Sequence, residues 1–412
     1  ADYIRWSRSV SREEALAAHE RAAEESPGDP LILEELAGML ERSESWNRLV
    51  EVLSGLCLAS RDPREQLSLN HRIGNLLDER LQRPTQAREA YERALALDPT
   101  HVPTLQAASR LYVAEEAWDA LIAMHIAEAE EAAQPRRRAA AHARVAEVLA
   151  HHNNARDEAM THHARALSLH PGYAASFKAL TRLYADTGKH RALIELYERA
   201  IEQADEPTAA ITHLFKIGTI YEDMLGEHDQ AAHTYSRVLE IDGEHLGGLH
   251  ALQRAAERSA QHGLLVTALE READLRTDDT QVVDLLHRAA EILDERLGDT
   301  DAATKRYRRI LEIDESYVPA LGGLGRIFHR AGRWDDLLEL YERELSLDPK
   351  GTAAAALLHK MGQLCEERIG DELRAIDCYK RALDADARHR PSIAALQRRL
   401  AARREHRELV GV

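Results

Sequence analysis

Residues 87–99 read Ala-Arg-Glu-Ala-Tyr-Glu-Arg-Ala-Leu-Ala-Leu-Asp-Pro. Ala87, Tyr91, Ala94 and Leu95 fall at helical spacing, and Asp98-Pro99 closes the stretch, because proline has no N–H with which to continue a helix. The core of this segment, Ala90-Tyr-Glu-Arg-Ala94, has relatives along the whole chain: Ala18-His-Glu-Arg-Ala22, His162-His-Ala-Arg-Ala166, Thr234-Tyr-Ser-Arg-Val238, Arg306-Tyr-Arg-Arg-Ile310 and Cys378-Tyr-Lys-Arg-Ala382. Their central residues His19, Tyr91, His163, Tyr235, Tyr307 and Tyr379 are each 72 residues apart, with no insertion or deletion.

Other positions keep this phase. Trp46, Trp118, His190, His262, Trp334 and His406 recur at one offset, and Leu33, Leu105, Phe177, Leu249, Leu321 and Ile393 at another. Within a period the apolar residues form successive helical stripes: Leu69, Ile73, Leu76 and Leu77; then Ala87, Tyr91, Ala94 and Leu95; then Leu105, Ala108, Leu111 and Tyr112; then Trp118, Leu121 and Ile122. Turn signals such as Asp98-Pro99, Gly298-Asp299, Gly332 and Gly370-Asp371 fall between stripes. No segment alternates as a strand does. Each period therefore reads as four helices, or two hairpins, and the chain as about ten complete hairpins.

These residues resemble the tetratricopeptide repeat. The pattern of its second helix appears as Ala87, Tyr91, Ala94 and Pro99, and its Leu-Gly pair as Ile73-Gly74, Ile217-Gly218 and Met361-Gly362. One additional residue lies between Gly74 and Ala87 compared with the consensus, and Gly243, Glu315 and Ala387 replace the proline in later copies. The resemblance implies an all-α, right-handed superhelical solenoid of antiparallel helix hairpins spanning residues 1–412. It also implies a protein-interaction scaffold that binds a peptide or partner protein in a concave groove lined by the first helix of each hairpin. In such a stack every hairpin buries its apolar faces against its neighbours, so Tyr91 and its equivalents are expected as core wedges, with His19, His163 and the three tryptophans in similar packing roles.

Composition narrows the function classes. The chain of 412 residues carries 54 basic and 71 acidic groups, a net charge of −17, of which −13 falls within residues 201–300. An acidic surface repels phosphate backbones, so the expected partner is a protein, with a basic surface facing residues 201–300, and not a nucleic acid. Three cysteines make no disulfide framework and lack paired zinc-site spacing, which favours a reducing, cytoplasmic compartment. No apolar run is long enough to span a bilayer, so no membrane insertion is expected. No nucleophile, zinc-protease or nucleotide-cradle motif is present, and Gly322-Gly323-Leu324-Gly325 falls inside a helix by phase. Neither enzymatic activity nor a cofactor is expected.

Mapping the groove onto the sequence gives a ladder, Arg110, Arg182, Arg254, Arg326 and Arg398, again at a spacing of 72, with acid pairs Asp78-Glu79, Glu222-Asp223, Asp294-Glu295 and Glu366-Glu367 on the intervening hairpins. Either these rungs neutralise one another as a repeated structural contact, or they form an alternating groove for an extended ligand. The candidate binding residues are Arg110, Lys178, Arg182, Glu222, Asp223, His250, Arg254 and Arg326. His151-His152 and His162-His163 could meet across one hairpin but lack a completing carboxylate or cysteine, so no metal site is expected. Arg136-Arg137-Arg138 are expected to be solvated or paired with Glu130 and Glu131. Both ends cut the period, at Ala1 and after His406 and Leu409, which points to a longer protein; a structural segment of a self-assembling complex and the regulatory arm of an enzyme stay open as alternatives.

Overall fold

The computed structural model describes residues 12–152, 154–347 and 350–403, so the expectations that rest on Ala1, Asn153, His406 and Leu409 lie outside the described residues. The described residues are all helix and turn, without strands. The chain divides into two compact units, residues 1–196 and 197–412.

In the first unit α1 (Arg12–Glu25) precedes the hairpins α2/α3 (Pro30–Arg42, Trp46–Ala59), α4/α5 (Pro63–Asn75, Pro84–Leu97), α6/α7 (Val102–Ala114, Trp118–Glu131) and α8/α9 (Pro135–His151, Arg156–Leu169), followed by α10 (Ala174–Asp186). The helix α11 (His190–Glu202) crosses the division. The second unit holds α12/α13 (Pro207–Thr219, His228–Ile241), α14/α15 (Leu246–Arg258, His262–Leu275), α16/α17 (Asp279–Ile292, Thr300–Ile313), α18/α19 (Val318–Ala331, Trp334–Ser346), α20/α21 (Thr352–Leu364, Glu372–Ala385) and then α22 (Arg390–Arg403). Each second helix packs on the first helix of the next hairpin within its unit, and the apolar residues merge into continuous cores.

Local chemistry sets the boundaries. Proline occupies the first turn of α2, α4, α5 and α8, where its missing N–H costs nothing, and Asp29 and Asp62 accept hydrogen bonds from the N–H groups of Leu31 and Arg64. Asp98 accepts from the Thr100 N–H at 2.8 Å, and Asp242, Asp314 and Asp386 repeat the device on Glu244, Ser316 and Arg388. The aspartate therefore holds this turn, which explains why Gly243, Glu315 and Ala387 can stand in for the proline.

Four of the first helices, α4, α12, α16 and α20, are prolonged by a wide π turn: Leu76–Arg80, Ile220–Leu225, Leu293–Leu297 and Cys365–Ile369. In each, an N–H reaches back five residues, as from Leu81 to Leu76 at 3.0 Å and from Gly370 to Cys365 at 2.8 Å. The additional residue between Gly74 and Ala87 is absorbed here. The corresponding helix α8 runs as regular α-helix to His151 instead.

The tyrosine wedges need a missing side chain opposite them. A Cβ on Gly74, Gly218 or Gly362 would come within 2.3 to 2.5 Å of the ring of Tyr91, Tyr235 or Tyr379. In the copy centred on Tyr307, Ala290 occupies that glycine position, and Tyr307 instead packs on Gly323 of α18, where a Cβ would stand 2.5 Å from the ring; the copies of the other three tyrosines carry alanine there, at Ala107, Ala251 and Ala395. Each of these tyrosines thus has one glycine, contributed by the first helix either before or after it. Gly322-Gly323-Leu324-Gly325 lies within α18, as its phase predicts.

Candidate functional site

The π turns place the first acid of each pair beside the arginine of the following first helix. Arg110 of α6 donates to Asp78 at 2.8 Å, Arg254 of α14 grips Glu222 through two bonds of 2.8 and 3.0 Å, and Arg398 of α22 donates to Glu366 at 3.1 Å. In all three pairs the partners are 32 residues apart. Glu222 is buried, also receives Arg258 at 3.4 Å and Tyr235 Oη at 3.4 Å, and is held below the usual carboxylate range chiefly by the hydrogen bonds from Arg254, against its burial. Burial alone would raise Glu366, but Arg399 and the Tyr379 hydroxyl outweigh it and keep this carboxyl low as well.

Two rungs differ. In α8 position 150 is alanine, so Arg182 finds no acid on the preceding first helix and lies 3.6 Å from Asp186 on its own helix, largely exposed. In α18 the carboxylate of Asp294 is taken by Arg330, one helical turn beyond Arg326. Among the described residues Arg326, Lys178 and Asp223 are exposed and make no ion pair.

His250 belongs to another group. Its Nε2 lies 3.0 Å from Glu272 of α15, a buried carboxylate that also accepts from Gln253 at 2.7 Å and from Arg276. The equivalent buried acid in the first unit is Glu128, bonded by His125 and Arg144. Arg258, Arg330 and the two buried glutamates were not singled out by sequence. The signal was there, as arginines four residues after Arg254 and Arg326.

The other candidates separate. His152 stacks on Trp118 with ring centres 3.7 Å apart, His163 bonds Ser176 at 3.1 Å, and His162 meets His142 through Nδ1 atoms 3.2 Å apart. Burial holds His142 and His163 neutral, with pKa values pushed down to about 4. Among the described residues no three metal-ligating side chains are gathered. Of the basic run expected to be solvated or paired with Glu130 and Glu131, Arg136 is exposed, whereas Arg137 donates to the Thr100 carbonyl at 2.7 Å and lies 3.7 Å from Glu128, and Arg138 donates to the Ala129 carbonyl at 3.0 Å. Arg138 thus satisfies a carbonyl in the last turn of α7 and Arg137 one in the turn between α5 and α6. No helix of the described residues is long and apolar enough to cross a membrane.

Family profiles described as Tetratricopeptide repeat match residues 67–101, 176–210, 214–243 and 318–388. No curated protein matches the chain. Among solved structures, one chain of the Naa15/Naa10 structure bound to HypK-THB aligns over 99% of this chain and 66% of its own length, at 13% identity and a TM-score of 0.35. This sequence thus spans just under two thirds of that chain. YrrB, described as a TPR protein with an unusual peptide-binding site, aligns over 48% of this chain and 96% of its own at 16% identity and a TM-score of 0.27. The C-terminal part of a TPR repeat-containing protein from Cytophaga hutchinsonii aligns over 62% and 99%, at 16% identity and a TM-score of 0.27.

Proposed function

The chain belongs to the tetratricopeptide-repeat family, and on that premise we propose that it is a protein-interaction scaffold whose ligands bind the face built from the first helices of the hairpins. The observation that carries this reading is the uneven state of the ladder. Where a rung pairs with a buried acid, as Arg254 does with Glu222, the guanidinium is committed to the fold; where the acid is missing, as for Arg182, a cation is left to a partner.

Arg110, Glu222, His250 and Arg254 then act as framework that shapes the face, and Lys178 and Arg182 in the first unit, with Asp223 and Arg326 in the second, are its readers. The exposed pair on α10 suits an acidic segment of the partner, and the acidic surface of residues 201–300 suits a basic one. Binding of this kind relies on shape and on charge register and needs no cofactor or catalytic group.

The test is capture of partners from a lysate by wild type, by Lys178→Glu/Arg182→Glu and by Arg326→Glu, with bound proteins identified by mass spectrometry. Loss of captured proteins with a charge reversal supports the reading for the unit that carries it, provided the circular-dichroism melt is unchanged. Identical capture by all three would exclude these rungs from binding.

A further inference from the structure

Successive second helices leave a gap between them, and the copies fill it differently. In the second unit Arg343 of α19 lies across the gap and donates to the carbonyl of Leu311, in the last turn of α17, at 2.7 Å. The equivalent positions 216 residues earlier are Ala127 on α7 and Leu95 on α5. With Ala120 and Ala123 beside it, Ala127 leaves a cavity of about 350 Å³ that also involves Leu95, Met124 and Glu92.

Three observations describe what this cavity lacks. Residue 99 is proline, so the N–H that would continue the helix onto the Leu95 carbonyl is absent, and no hydrogen bond among the described residues ends on that oxygen. Glu92 stands where the later copy has Arg308, so the rim has changed sign. Its carboxylate accepts from Tyr112 at 3.1 Å and lies 3.5 Å from Arg88, a cation already shared with Glu115 at 2.9 Å, so two carboxylates divide one guanidinium.

We propose that this cavity is a docking site for an arginine side chain of a partner protein. The aliphatic stem lies over the three alanines, and the guanidinium reaches the Leu95 carbonyl at the C-terminal end of α5 with Glu92 at its side, as Arg343 reaches Leu311 within the chain. Apart from Pro99 in the turn and Tyr112 on α6, the lining residues belong to the second helices, and none is a rung of the ladder, so the site stands or falls apart from it.

The full-length chain with ¹³C-methyl-labelled methionine is titrated with N-butylguanidinium, a stem and head without a peptide. The five methionines give few signals, and that of Met124 is identified by its loss in Met124→Leu. The Met124 signal should move and saturate, and Glu92→Gln should weaken the response severalfold. Ala127→Arg, which rebuilds the internal occupant, and Ala123→Leu, which fills the space without charge, should each abolish it while the circular-dichroism spectrum is retained. A static Met124 signal in wild type, an undiminished response in both filled variants, or an equal response to 1-pentanol would overturn the proposal. Peptide selection on wild type and on Ala127→Arg extends the test: the sequences lost with the variant should contain arginine, and selections without that difference would count against a protein ligand.

Discussion

The hairpins α8/α9 and α12/α13 hold the same place in the repeat, one period apart, yet differ in three linked ways. The second has Gly218 opposite Tyr235, a π turn after α12, and Glu222 on that turn gripping Arg254. The first has Ala146 in the place of Gly218 and the smaller His163 in the place of Tyr235, regular α-helix to His151, and Ala150 where the acid would be, so Arg182 stays exposed. Between these two hairpins wedge, turn and rung all change, whereas Arg326 is left open in a copy that keeps both Tyr307 and its π turn. A copy that gives up the large wedge also gives up the internal ion pair and gains an uncommitted cation, so one local change converts framework into a surface open to a partner.

The sharpest way to break the contrast is Gly218→Ala. Its methyl would stand 2.4 Å from the Tyr235 ring, and overpacking should cost about 1–3 kcal/mol in chemical denaturation of the full chain. Adding Tyr235→His, which copies the Ala146 and His163 pairing, should recover most of that loss. In the copy centred on Tyr307 the paired swap Ala290→Gly/Gly323→Ala should be tolerated better than Gly323→Ala alone, because it moves the slot for Tyr307 without removing it.

Acidification should act more on α8/α9. His142 and His163 have folded pKa values of about 4, below the ordinary histidine value of about 6.5, so the unfolded chain binds protons first and stability falls as pH drops through that interval. Thermal melts between pH 7 and 4 should show this loss, and His142→Gln/His163→Gln should flatten the dependence. In α12/α13 the sign is the same and the interval lies lower: Glu222 is depressed, so its contribution is present above the ordinary glutamate value and is lost only as pH falls further.

Glu222→Gln should destabilise by about 1–2 kcal/mol, because a charged hydrogen-bond cluster loses its acceptor, whereas Arg182→Ala should stay within about 0.5 kcal/mol. Equal effects would erase the distinction between committed and open rungs. Smallest of all is the residue that ends the two first helices. Asn154 and Gly226 occupy the same left-handed position with φ near 51° and 67°, and Asn154→Gly should stabilise by about a few tenths of a kcal/mol, since asparagine tolerates that conformation.

Much of this was legible beforehand. The period, the helices and the wedge positions follow from residues such as Tyr91 and Leu105, because spacing at helical periodicity reports which side is buried. The ladder could also be read, since Arg254 and Glu222 both recur and their separation of 32 puts them one hairpin apart. The π turns could not, because one additional residue in a helix may equally lengthen a loop. Nor could the choice of Arg330 over Arg326 for Asp294, which depends on a difference of one helical turn in side-chain reach. The cavity beside Ala127 is invisible until the copy three periods later shows an arginine in that place.

The single glycine shared between flanking first helices also governs how such a chain can be recombined. Positions 290 and 323 form one unit of inheritance, because Tyr307 lies between them and needs a slot on one side. A crossover falling between them and joining an Ala290-type helix to an Ala251-type helix would trap a tyrosine between two methyl groups, while the reciprocal product would leave a hole between two glycines. Exchange is harmless only at breakpoints that keep the pair intact, so the piece that can be duplicated or shuffled is set by the tyrosine and not by the hairpin.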